Sequence, residues 1–112
     1  MLSIKRLNSV QIGVPTGHHM RVMFKPFGPL RRLLKESLIE VEVPSDSTVQ
    51  EVISRIIEIG GPDVSRLIMN GPLISGNLIV LLNKKDVATL NGAATLVSED
   101  DVISVLPHVQ GG

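Results

Sequence analysis

Apolar and polar positions alternate most cleanly in LIEVEV (residues 38–43). Ile39, Val41 and Val43 fall on one side of an extended chain, Glu40 and Glu42 on the other. Period-two alternation predicts a strand with one buried and one wet face. A different period follows at once. Val49, Val52, Ile53, Ile56 and Ile57 recur at i, i+3, i+4, i+7 and i+8 and make one continuous helical stripe. Thr48 stands at its N-cap and Glu51 three residues on, the spacing of a capping box. Gly60-Gly61-Pro62 is a stop signal, since glycine adopts the left-handed cap and proline does not continue a helix. β-Branched residues crowd this helix and lower its intrinsic propensity, so a sheet must lie beneath it to bury the stripe.

The remaining segments supply that sheet. Residues 21–27 (RVMFKPF), 77–83 (NLIVLLN) and 102–108 (VISVLPH) have strand composition. Residues 28–37 form a basic connection with room for a short helical turn, so strands 21–27 and 38–43 are expected to pair as a hairpin. Residues 63–76 lack periodicity and are expected to be irregular, with a turn at Asn70-Gly71-Pro72. Residues 83–86 (NKKD) predict a tight turn, 87–92 a short strand or turn, and 93–101 a connection ending in an acidic turn. The order β-β-α-β-(β)-β predicts an α+β fold, one main helix packed on one face of a small mixed sheet.

Composition narrows the possibilities. The 112 residues are one domain's worth, and 43% hydrophobic content is that of a folded chain. The core must be aliphatic, because Phe24 and Phe27 are the only aromatics. No apolar run approaches the ~20 residues that span a bilayer. Cysteine is absent, which excludes disulfides, zinc-thiolate sites and side-chain persulfides on this chain and suits a cytoplasmic location. The net charge of zero hides an asymmetry: residues 1–35 carry seven bases and no acid, and residues 36–112 carry all 11 acids and four bases. Without interleaved aromatics, the bases do not make a nucleic-acid platform.

No residue set of an enzyme stands out. His18-His19 is a pair without a third metal ligand. Glu99-Asp100-Asp101 reads as a solvated turn. Residues 60–63 (GGPD) lack the lysine and the strand-to-helix setting of a phosphate loop, and there is no G-x-S-x-G. No catalytic residue, metal site or resident cofactor is expected. What stands out is the ending, VISVLPHVQGG, where a core-bound strand runs into a segment finishing in Gly111-Gly112. Taken alone, such an ending is also what a frayed terminus looks like.

Three blocks give the chain a resemblance. VMFKPFGPLRRLL (22–34), STVQEVISRI (47–56) and LNGAATLVSEDDVISVLPHVQGG (90–112) resemble the first strand and loop, the helix start and the ending of the ubiquitin-like sulfur carriers of the MoaD/ThiS family. Among these are the small subunit of molybdopterin synthase and the small archaeal ubiquitin-like modifiers. The likeness covers residues 20–112. Three positions depart from the family's pattern: Lys84 and Asp100 stand where it has turn glycines, and His108 where it has a second proline.

The resemblance implies a β-grasp fold over residues 20–106, between a flexible extension (1–19) and a flexible tail (107–112). It implies that a partner adenylyltransferase uses ATP to activate the carboxylate of Gly112, which then becomes a thiocarboxylate for molybdopterin biosynthesis or tRNA thiolation. The tail residues suit that task. Gly111 and Gly112 allow close backbone approach in a narrow channel. Pro107 stiffens the exit, Val109 is suited to anchoring the arm in an apolar pocket, and His108 and Gln110 complete the partner-binding tail. Two alternatives stand beside this: conjugation of Gly112 to target-protein lysines through an isopeptide bond, and a non-covalent module using the sheet face around Glu40 and Glu42. The expected partners are the adenylyltransferase together with a molybdopterin-synthase large subunit or target lysines, with no nucleic acid and no membrane.

Overall fold

A computed structural model of the chain describes residues 18–107. The candidate tail residues His108, Val109, Gln110, Gly111 and Gly112, like residues 1–17, lie outside the described residues. Strand β1 (His19–Pro26) puts Met20, Val22, Phe24 and Pro26 inward at every second position. It pairs antiparallel with β2 (Ile39–Pro44), so that Val22 faces Val41 and Phe24 faces Ile39. Ile39, Val41 and Val43 are buried, as the alternation predicts. The connection holds a genuine helix, α1 (Pro29–Leu34), with Pro29 in its first turn and Leu30 buried. Proline suits that position because its missing N–H would have no helical partner there.

Helix α2 (Val49–Gly60) is the predicted main helix. Thr48 Oγ1 accepts a hydrogen bond from the Glu51 N–H, which is one half of the capping box. Val49, Val52, Ile53 and Ile56 are fully buried, and Ile57 packs partly against the same core. Four such side chains contribute on the order of 10 kcal/mol of gross burial at roughly 1.5–3 kcal/mol each, opposed by ordering entropy.

The irregular reading of residues 63–76 needs correcting. Helix α3 (Pro62–Ile68) starts immediately after α2, and Val64 and Ile68 are fully buried. Gly60-Gly61-Pro62 is therefore a corner between two helices. A Cβ on Gly60 would overlap Val64 Cγ2, Gly61 turns the chain at φ 82°, and Pro62 occupies the first turn of α3. Beyond it, β3 (Met69–Asn70) and β4 (Leu73–Ile74) form a minimal hairpin around the predicted Asn70-Gly71-Pro72 turn.

The main sheet is completed by β5 (Leu78–Leu82), β6 (Lys85–Asp86) and β7 (Val102–Pro107), in the order β2-β1-β7-β5-β6. Residues 87–94 resolve into two 3-10 turns, Val87–Thr89 and Gly92–Ala94. Strand β7 is the middle strand, parallel to β1 and antiparallel to β5. Ile103 and Val105 point into the core, against Phe24 on one side and Val80 and Leu82 on the other. Among the described residues no helix is long and apolar enough to cross a membrane.

Candidate functional site

Strand β7 links the core to the candidate tail, and its two ends are built differently. At its start, Asn83 makes a double connection. Its N–H donates to the Val102 carbonyl at 2.8 Å, and its Oδ1 accepts from the Val102 N–H at 2.9 Å. Asn83 Nδ2 donates to Asp101 Oδ1 at 2.9 Å, while Asp101 Oδ2 accepts from the Ser98 N–H at 2.7 Å. The residue between them in the acidic turn, Asp100, is held by Arg21. Nη2 donates to Asp100 Oδ1 at 3.0 Å, and the Asp100 N–H donates to the Arg21 carbonyl at 2.7 Å. Glu99 accepts from the Arg21 N–H, and Glu40 lies 3.5 Å from Arg21 Nη1. The hydrogen bond and charge of Asp100, then the charge of Glu40, raise the Arg21 guanidinium further above its ordinary range.

This qualifies the reading of 99–101 as merely solvated. The turn is exposed, but it also fastens β1 and β5 to the start of β7. The turns that lack the family's glycines use left-handed residues instead: Asn83 at φ 51° and Lys84 at φ 74° before β6, and Asp100 at φ 67°. Asparagine and aspartate tolerate that region through short polar side chains, and lysine does so at a cost.

The far end of β7 is built differently. The Phe27 N–H donates to the Val105 carbonyl at 3.0 Å and brings the loop before α1 beside the strand's exit. Gly28 sits at φ 62°, ψ −138°, a region nearly reserved for glycine. A Cβ there would lie 3.2 Å from Pro107 Cγ and 3.4 Å from its Cδ. Pro107 itself is exposed, and five residues follow it in the sequence. Of the candidate tail, Pro107 alone is placed by the structure, at the surface end of the central strand.

Other candidates separate as follows. His18 is exposed and His19 half-buried, and no group of three metal-ligating side chains occurs among the described residues. The sheet face around Glu40 and Glu42 is not purely acidic, because Arg21 reaches into it. Sequence reasoning allowed the short helix in residues 28–37 but missed the packing of Gly28 against Pro107, which sets Arg31, Arg32 and Lys35 near the end of β7. The Gly28-Pro29 pair, with Leu30, Leu33 and Leu34 at helical spacing, was the available signal.

A five-stranded mixed sheet with its last strand in the middle and one main helix across it is the ubiquitin-like β-grasp fold. Residues 25–112 match the ThiS family, and the chain belongs to that family. It is 30% identical over 93 residues to small archaeal modifier protein 3 of Haloferax volcanii, an alignment covering 83% of this chain and all of that one. The solution structure of small archaeal modifier protein 1 from Methanosarcina acetivorans superposes with a TM-score of 0.73 at 24% identity, covering 86% of this chain and all of the other. A chain of the BexX/CysO complex of Amycolatopsis orientalis gives a TM-score of 0.66 at 24% identity, over 81% of this chain and 99% of the other. At these identities the two structures show a shared fold.

Proposed function

We propose that this chain carries sulfur on its final glycine. A partner enzyme adenylates the Gly112 carboxylate: a carboxylate oxygen attacks the α-phosphorus of ATP, and pyrophosphate leaves. Hydrosulfide then attacks the acyl carbon and expels AMP, leaving a thiocarboxylate that passes sulfur to an acceptor such as a pterin precursor or a tRNA. The chain supplies the handle and the partner supplies the catalysis and the ATP.

The observation that carries this reading is the course of β7. The central strand of the sheet is anchored at its start and ends at the surface with Pro107, followed in the sequence by a short, glycine-ended segment without lysine, arginine or acid. The absence of cysteine supports it from a second direction, because a sulfur carried covalently has no side-chain thiol to occupy. A direct test is the intact mass of the protein after incubation with ATP, its activating enzyme and a sulfide source. The expected change is the exchange of one oxygen for one sulfur, located in the C-terminal peptide. A mass that never changes rejects the proposal.

The second reading, conjugation of Gly112 to a lysine, draws support from the modifier proteins to which the chain is similar. It shares the adenylate and differs in the nucleophile, an amine in place of hydrosulfide. Lysines carrying the C-terminal peptide of this chain in digests of expressing cells are the result expected of it.

A further inference from the structure

Among the described residues, three of the arginines are neutralised within the chain: Arg21 by Asp100 and Glu40, Arg55 by Glu58, and Arg66 by Asp63. The other two, Arg31 and Arg32, sit side by side on α1 with Lys35 at its C-cap, all exposed. Among the described residues none of these three makes an ion pair or a side-chain hydrogen bond. They line a shallow concavity with Gly28, Glu36 and Ser37, and Glu36 is its one acid. Gly28 is the residue packed against Pro107, so this uncompensated charge lies at the root of the tail.

Chain length makes that position consequential. Five residues beyond Pro107 span at most about 17 Å when fully extended. An enzyme that takes Gly112 into its active site must therefore cover the surface around Pro107, and α1 is part of that surface. The tail brings no lysine, arginine or acidic side chain of its own to guide the encounter. Fixed unpaired charges beside a docking site act on association rate and specificity, because they are attracted over a Debye length and are screened by salt.

We infer that Arg31, Arg32 and Lys35 form a docking surface for a carboxylate-rich rim on the enzyme that activates the tail. This rests on the proposed role of Gly112. A protein is favoured over a nucleic acid because the tail root must abut the tail's receiving enzyme. Moreover, the concavity has no aromatic side chain in its lining on which a base could stack.

The test is ATP–pyrophosphate exchange catalysed by the cognate activating enzyme, with the full chain as the varied substrate. Wild type is compared with the reversal R31E/R32E/K35E and with the control K84E/K85E, whose lysines lie in the turn before β6 and at the first residue of β6, near the start of β7. The reversal is expected to raise KM about tenfold or more with kcat unchanged, and to abolish the rise of KM with ionic strength seen for wild type. The control is expected to leave KM close to wild type. A neutral triple variant, R31Q/R32Q/K35Q, guards against a folding defect and is expected to fall between. Equal KM values for wild type and both α1 variants overturn the inference, as does a fall in kcat alone. A labelled tRNA bound by wild type and lost by the reversal, with KM unchanged, overturns it in favour of a nucleic-acid face. If wild type itself supports no exchange, the proposed function fails first, so the two failures are distinguishable.

Discussion

The two ends of β7 belong to one strand and obey opposite rules. At Val102 the polar groups that touch the strand are matched inside the chain, with Asn83, Asp101, Ser98, Arg21 and Asp100 bonding to one another and to the backbone, although the exposed Lys84 and Lys85 nearby make no ion pair among the described residues. At Pro107 the packed neighbour is Gly28, a residue without a side chain, which shares a concavity with Arg31 and Arg32 of α1 and Lys35 at its C-cap, three exposed bases that make no ion pair among the described residues. Charge that is satisfied within a fold specifies the fold. Charge left unsatisfied next to a chain exit is available to something outside it. The contrast separates the acidic turn, whose charges fasten the fold, from the basic connection after β1, whose charges make no ion pair among the described residues.

The sharpest way to separate the two ends is to remove Gly111-Gly112. Activation by the partner is expected to disappear completely, while the thermal midpoint stays at the wild-type value. A truncated chain that is still activated would place the reacting group elsewhere.

Asn83→Ala attacks the tied end. It removes two side-chain hydrogen bonds worth about 1 kcal/mol each and places alanine at a left-handed position for about 1 kcal/mol more. Urea unfolding is expected to show a loss of about 2–3 kcal/mol, with Asn83→Gly losing less because glycine accepts the dihedral. KM for the activating enzyme should be unmoved in both. A large KM change would erase the distinction between the ends.

Gly28→Ala attacks the free end through its backbone. A strained dihedral and the approach to Pro107 are expected to cost about 1–3 kcal/mol. Pairing it with Pro107→Ala should recover part of that loss, since the two closest atoms belong to the proline ring. An additive double variant would show that the contact carries no energy. The smallest effect is expected of Lys84→Gly. Glycine fits the φ of 74° without strain, and a gain of about 0.5–1 kcal/mol in the urea midpoint analysis is the expected outcome.

Local features were legible in the sequence. The alternation of β2 and the stripe of α2 are read directly from period two and period 3.6, and Thr48 marks its helix start with a side chain that bonds where predicted. Helix α3 was not legible, because Gly-Gly-Pro serves both as a stop and as the start of the next helix. Val64 and Ile68 alone are also too few to set a period. The Arg21–Asp100 clasp joins residues 79 apart, and the contact of Gly28 with Pro107 likewise bridges nearly the whole chain. Neither leaves a local pattern, since each depends on β1 and β7 lying side by side. The tail is the reverse case: its proposed chemistry rests on residues 107–112 and on the family ending they resemble, and of these the structure describes Pro107 alone.

The central claim is that partners meet this protein at the Pro107 end of β7. Its most direct measurement is a ¹⁵N–¹H correlation titration of the full chain with its activating enzyme and ATP. Selective broadening of Gly28, Arg31, Arg32, Lys35 and Leu106, with Asn83, Lys84 and Asp100 unperturbed beyond the uniform effect of complex size, is the predicted result. Selective broadening at Asn83, Lys84 and Asp100, with α1 unaffected, would contradict the account.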